Sequence, residues 1–188
     1  MQKIIFAVIG VGGVSLIFYV LKTYNDLVTL RNKNRNQRSQ IDIELKRRFD
    51  LVPNLVEVVK GYAAHEKTAL EDVINARNTY TSVVDDTAQA LEADGTLTHS
   101  LTNLFALAEA YPDLKANTSF LSLQSSLSEI EQKIVYARQF HNDSVYKLNN
   151  KIEMFPSNII ASLFRFRKES FFEANDGERE NVTTRFES

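Results

Sequence analysis

The sequence has no cysteine, no tryptophan and three histidines, His65, His99 and His141, in 188 residues. Without thiols there is no disulfide, no thiolate nucleophile, no zinc-finger or ribbon site and no iron–sulfur cluster. Six glycines and three prolines are few for this length, and a chain so poor in turn formers does not fold readily as many short strands. Gly10, Gly12 and Gly13 share one apolar run, and Gly61, Gly95 and Gly177 stand alone, so phosphate-binding loops and serine nucleophile elbows lack their glycines. What the composition does hold is 44% hydrophobic and 24% charged residues, enough to build a packed core. The expectation is one all-α domain with a small appendage.

The appendage is at the N-terminus. Ile4 to Leu21 carries no charge, and 18 helical residues at about 1.5 Å each give roughly 27 Å, the thickness of a thin bilayer. A cleaved signal peptide is the competing reading. It is disfavoured because Lys3 is the whole of the basic n-region, no small-x-small cleavage site follows, and a charged helical pattern begins at once. Tyr19, Lys22 and Tyr24 are the candidate membrane-interface residues, with amphipathic rings and an ammonium stem at the expected headgroup level. Ala7, Gly10 and Gly13, spaced by three, form at best a weak ridge for packing between anchors. From Lys22 to Arg48 there are eight basic against three acidic residues, while Phe49 to Ser188 holds 13 basic and 21 acidic. Basic residues are retained on the cytoplasmic side, so the N-terminus is expected outside and the main domain inside. The basic stretch is either a solvated helix face or a contact with anionic lipid. Nucleic acid is not an expected partner, because the acidic remainder repels phosphate.

Neither glycine nor proline occurs between Val14 and Val52, so the anchor helix is predicted to run on as far as Phe49, with Ile41, Leu45 and Phe49 as its apolar line. Asp42 with Lys46, and Glu44 with Arg48, are expected to pair at i, i+4 on the outside. Pro53 disfavours the α conformation at Val52, so Asp50-Leu-Val-Pro53 predicts a turn back, with a kink as the alternative. A second helix is predicted from Pro53 to Leu91, a break at Ala93-Asp-Gly95, and a third helix from Leu97 to Tyr111. From Ala116 to Phe155 a heptad stripe places Leu127, Ile134, His141, Leu148 and Phe155 at one position and Ile130, Ala137, Ser144 and Lys151 at the other. A short helix from Ser157 to Phe164 follows Pro156. Stacked antiparallel, these elements predict a long four-helix bundle led by a transmembrane helix.

No constellation for chemistry is found. No histidine has Glu or Asp three residues before it, and His65-Glu66 lacks the second histidine of a zincin at Ala69. His141 on the core stripe is read as a hydrogen-bonded core histidine, and Arg77 and Arg138 as core-bordering cations that set helix register. The interleaved aromatics and cations of Leu163 to Phe172 read as a chain end folded back over the bundle, with a partner-docking element as the alternative. The sequons at Asn117, Asn142 and Asn181 are idle on a cytoplasmic domain.

Several blocks together resemble one family. They are Tyr24-Asn-x-Leu-Val28, Ser39-Gln-Ile-Asp-Ile-x-Leu-Lys-Arg-Arg48, Asp50-Leu-Val-Pro-Asn-Leu-Val56, Val59-Lys-Gly-Tyr62, His65-Glu66, Ala76-Arg77, Tyr111-Pro-x-Leu-Lys-Ala-Asn117, Ala137-Arg138, Phe155-Pro156 and Phe171-Phe-Glu173. In these the chain resembles the LemA family of bacterial membrane-anchored helical proteins. It departs from the family pattern at His141 and Leu148, where tyrosines are usual, and at Gln132, where asparagine is usual. The resemblance implies one N-terminal anchor, the N-terminus outside and a four-helix domain inside. It supplies no catalytic residue and no settled activity, and some members are connected with membrane organelles.

Residues 1–23 are therefore expected to be the anchor, 24–172 the bundle and 173–188 a mobile polar tail. The expected function is that of a non-enzymatic scaffold or assembly protein at the cytoplasmic face of the bacterial inner membrane. It would act by self-association or by holding another membrane protein. The alternative is an adaptor that regulates a membrane protease or transporter. No cofactor, metal or small-molecule substrate is expected.

Overall fold

The computed structural model describes residues 1–83 and 87–172. In order, the helices are α1 (Gln2–Lys60), α2 (Lys67–Val83), α3 (Thr87–Ala108), α4 (Pro112–Lys115), α5 (Thr118–Glu153) and α6 (Ser157–Leu163), with no strand among the described residues. The all-α reading stands, and so does the unbroken helix from the anchor. The expected tail, residues 173–188, lies outside the described residues.

The chain divides into two compact units, to both of which α1 and α5 contribute: Met1–Asp42 with Val135–Phe172, and Ile43–Ile134. In the second unit the pairing of helix levels gives an up-down-up-down bundle. Phe49 of α1 stacks on Tyr80 of α2 with ring centroids 3.9 Å apart, and Arg48 reaches Asp94 on α3 and Glu131 on α5. At the other end the connections meet: Tyr111 donates to Glu66 at 2.8 Å, and Asn117 donates to the Tyr62 hydroxyl at 2.9 Å. The core between these levels is apolar, with Val52, Leu55, Val59, Val73, Leu97, Leu104 and Phe120 essentially inaccessible.

Three expectations about this unit need correction. The chain does not turn at Asp50 to Pro53, because α1 runs through Pro53 to Lys60. Val52, Leu55, Val56 and Val59 are buried at helical spacing, and that burial holds the helix through the proline. A proline at position 53 deprives the Phe49 carbonyl of its helical donor. The Nε of Arg77, from α2, donates to that carbonyl at 3.2 Å. Secondly, the helix predicted over 53–91 is interrupted at residues 61–66, while residues 84–86 lie outside the described residues. Thirdly, Ala93-Asp-Gly95 is not a break but lies inside α3, where the Asp94 side chain is buried against Arg48.

In the first unit α1 and α5 are antiparallel. Lys151 pairs with Asp26 at 3.2 Å, and the Ser144 hydroxyl lies 3.1 Å from Asn34 Oδ1. Leu27, Leu148, Ile160 and Ala161 form the core, against which Val20, Leu30, Ile152 and Phe166 pack. The heptad stripe of α5 is buried as expected through Leu148, but Phe155 is 79% exposed, since it lies beyond the end of α5 at Glu153. A Schellman cap closes α6: the Phe166 amide donates to the Ala161 carbonyl and the Arg165 amide to that of Ser162. Arg165 occupies its left-handed position, at φ 58°.

Candidate functional sites

Three features of the structure bear on function. The first is the N-terminal run. It is long and apolar enough to cross a membrane. Ile4, Phe6, Val14 and Phe18 are each exposed by two thirds or more, so this is not the core helix of a soluble fold. Of the proposed interface residues, Tyr19 is 36% exposed and Lys22 is exposed, while Tyr24 is half-buried. Its ring meets Phe164 at 4.7 Å and Phe166 at 5.9 Å, and Arg31 lies 5.2 Å over the Phe166 ring.

The second feature is a buried ionic cluster beside a groove in the second unit. The Arg48 side chain, 3% exposed, donates to Asp94 Oδ1 at 3.0 Å and to the Thr98 hydroxyl at 2.9 Å, and lies 2.9 Å from Glu131 Oε2. Glu131, at 38% exposure, is the open side of the cluster. Arg48, Thr98 and Glu131 line a groove of about 600 Å³ together with the apolar Leu101, Phe105 and Leu127 and the polar Thr102, Gln124, Ser128 and Gln132. The expected outer pairing of Arg48 with Glu44 is not made. Glu44 takes Arg47 at 3.1 Å, and Lys46 takes Asp50 at 3.4 Å instead of Asp42.

The third feature is a pair of asparagine brackets on α5. Asn149 accepts from the Glu169 amide at 3.0 Å and donates to the Glu169 carbonyl at 2.9 Å. Asn142 does the same with Phe172, both bonds being 2.8 Å. Seven helical residues rise about 10.5 Å and three extended residues span about 10 Å, so the two brackets match the pitch of an extended strand running antiparallel to the helix. The Phe172 ring lies edge-on to His141, centroids 4.6 Å apart.

His141 itself is buried, and its Nδ1 has no hydrogen-bond partner among the described residues. Burial pushes its pKa down, as does the Arg38 charge, while the Asn142 side chain and Glu169 oppose the shift. Arg77 is half-buried on the proline-orphaned carbonyl, and Arg138 is half-buried on α5. Tyr111, donating to Glu66, is held above the usual phenol range by that bond. Among the described residues no group of three His, Asp or Glu side chains is arranged to hold a metal. Sequence reading missed Arg48, Asp94, Asn142 and Asn149 as organising residues.

The sequence profile of the LemA family matches residues 37–186. The chain belongs to the LemA family. Protein LemA of Metamycoplasma hominis is 26% identical, the match covering 96% of this chain and 82% of that protein. Magnetosome protein MamQ 2 of Paramagnetospirillum magneticum is 23% identical over 85% of this chain and 68% of that protein. Magnetosome protein MamQ of Magnetospirillum gryphiswaldense is 24% identical over the same shares. Family and fold together make this LemA-family chain a membrane-associated helical protein.

Proposed function

We propose that this LemA-family protein is a non-enzymatic scaffold, anchored by residues 4–21 and working at the cytoplasmic face of the inner membrane by self-association. The observation that carries the reading is the single helix α1, in which an exposed apolar run passes without interruption into the core-forming stretch around Leu27. An anchor continuous with a packed core fixes that core at one height over the bilayer, which suits assembly in the membrane plane. The excess of basic residues just after the run supports the cytoplasmic placement. The relatives named as magnetosome proteins support a role at a membrane.

A second reading has its own observation. The groove beside Arg48, lined by apolar and polar side chains, is suited to a side chain or segment of another membrane protein that the chain would regulate as an adaptor. Light scattering of the full-length protein extracted from its native membrane in mild detergent separates the two. The scaffold predicts a discrete multiple of 21.4 kDa in protein mass. A single copy bound to a second protein replaces it with the adaptor, and a bare monomer contradicts both.

A further inference from the structure

We propose that the asparagine brackets of α5 are a receptor for an extended chain segment, and that residues 167–172 of a second copy of this protein occupy it in the assembled state. The inference rests on the self-association reading and names its contact.

The brackets recognise main chain alone. Asn149 and Asn142 each bond both the amide and the carbonyl of one residue, Glu169 and Phe172, so the fit depends on an extended backbone at the right spacing. The one side chain with a seat is Phe172, half-buried against His141. An identical copy supplies the same backbone and the same ring, so a pairing that closes within one chain closes equally well between two.

The occupant is lightly held. Residues 167–171 are exposed, whereas Phe166 is fixed: its amide completes the α6 cap and its ring packs on the first unit's core. Beyond Phe166 the bracket bonds, the Phe172 ring, the Glu169 charge near His141 and an exposed Lys168–Glu153 pair hold the segment. A stretch so exposed and so sparsely packed opens at low cost, leaving the α6 cap intact.

The membrane makes exchange productive. Lys151 is level with Asp26 and Ser144 with Asn34, so the brackets lie beside the part of α1 that follows the anchor. At about 1.5 Å per residue, that part lies roughly 7 to 20 Å beyond Leu21. Every copy in one bilayer therefore carries both segment and receptor at the same height. A two-fold axis along the membrane normal preserves that height and lets two copies exchange segments reciprocally. Contacts too few to join dissolved molecules suffice between anchored ones, because confinement raises their effective concentration.

The chain has no cysteine, so disulfide trapping reads the contact cleanly. Ser170 and the exposed Tyr146 lie midway between the brackets on segment and helix respectively. Full-length Ser170→Cys and Tyr146→Cys chains with different tags are co-expressed, and their membranes are oxidised before extraction. The expected result is a disulfide joining the two tags. Its yield should fall by about tenfold or more when Asn142→Ala and Asn149→Ala are added to the Tyr146→Cys chain. Circular dichroism of that variant verifies that it is still helical. If the disulfide forms only when both cysteines are in one chain, or if it survives loss of the brackets as a collision product, the proposal is overturned. Particle mass of the same extract distinguishes the failures. A multimer without the inter-chain disulfide leaves self-association standing and removes this contact, whereas a monomer removes both.

Discussion

Replacing Arg48 by methionine removes the guanidinium that Asp94 and Glu131 share and takes that charge away from the Asp94 side chain, which is 4% exposed. The desolvation of Asp94 then loses the compensation that the Arg48 charge supplies, and the Thr98 hydroxyl loses the guanidinium as well. Breaking a buried pair in this way costs about 3–5 kcal/mol. With a urea dependence of about 2 kcal/mol per molar, the unfolding midpoint falls by about 2 M. The assay is urea unfolding of the full-length protein in mild detergent, followed by far-ultraviolet circular dichroism. Two further variants make the reasoning specific. Arg48→Met with Asp94→Leu removes both charges and should recover more than half of the loss, because the penalty belongs to the buried carboxylate deprived of Arg48 and not to the absent pair. Glu131→Gln, at a position 38% exposed to water, should cost under about 1 kcal/mol. A midpoint for Arg48→Met within about 0.3 M of the parent would refute the assignment of the cluster as a buried ionic joint between α1, α3 and α5.

Other outcomes follow from the local chemistry. Arg77→Met leaves the Phe49 carbonyl unpaired and should cost about 1–2 kcal/mol, but little in a Pro53→Ala background, where residue 53 regains its own N–H; equal losses in both backgrounds would contradict the link. His141 has its folded pKa below the unfolded value near 6.5, so the unfolded chain takes up a proton first as pH falls. Its contribution to stability is full above the unfolded pKa and is lost as pH falls through the folded one. Acid unfolding of His141→Tyr should therefore show a shallower decline below about pH 6.5 than the parent, and parallel curves would count against burial as the cause. Arg165→Gly should stabilise by about 0.5–1 kcal/mol, read as a raised melting temperature, since an L side chain at φ 58° is strained and glycine is not.

The fold was largely legible because its signals are periodic. The heptad from Leu127 to Leu148 is buried where the spacing places it, and the absence of glycine and proline from Val14 to Val52 marks a continuous helix. What was misread are positions where a local rule is overridden by a distant partner. Pro53 is a turn signal until Arg77 supplies a donor to Phe49, and Asp94-Gly95 is one until Arg48 takes the carboxylate. Arg77 is 28 residues from Phe49 and Arg48 is 46 from Asp94, so no window of local pattern contains either pair. Arg48 also had a ready local partner in Glu44, which made the exposed i, i+4 pair the natural expectation. The brackets were hidden for a related reason. Asn142 and Asn149 have the heptad spacing, but their partners are backbone atoms, which leave no residue-type signal. Their seven-residue interval beside a chain end is the trace that would have indicated them.

On the proposed function, α1 is at once the membrane anchor and a core element of a cytoplasmic domain. Single cysteines placed along α1 and at exposed sites of the later helices, probed in intact cells with a membrane-impermeant thiol reagent, test it most directly. Labelling is expected at residue 2 from outside, protection from 4 to 21, and labelling from Asn25 onward only after the membrane is opened. Labelling of the later helices in intact cells, or of residues 4 to 21 under any condition that leaves the membrane whole, would contradict it.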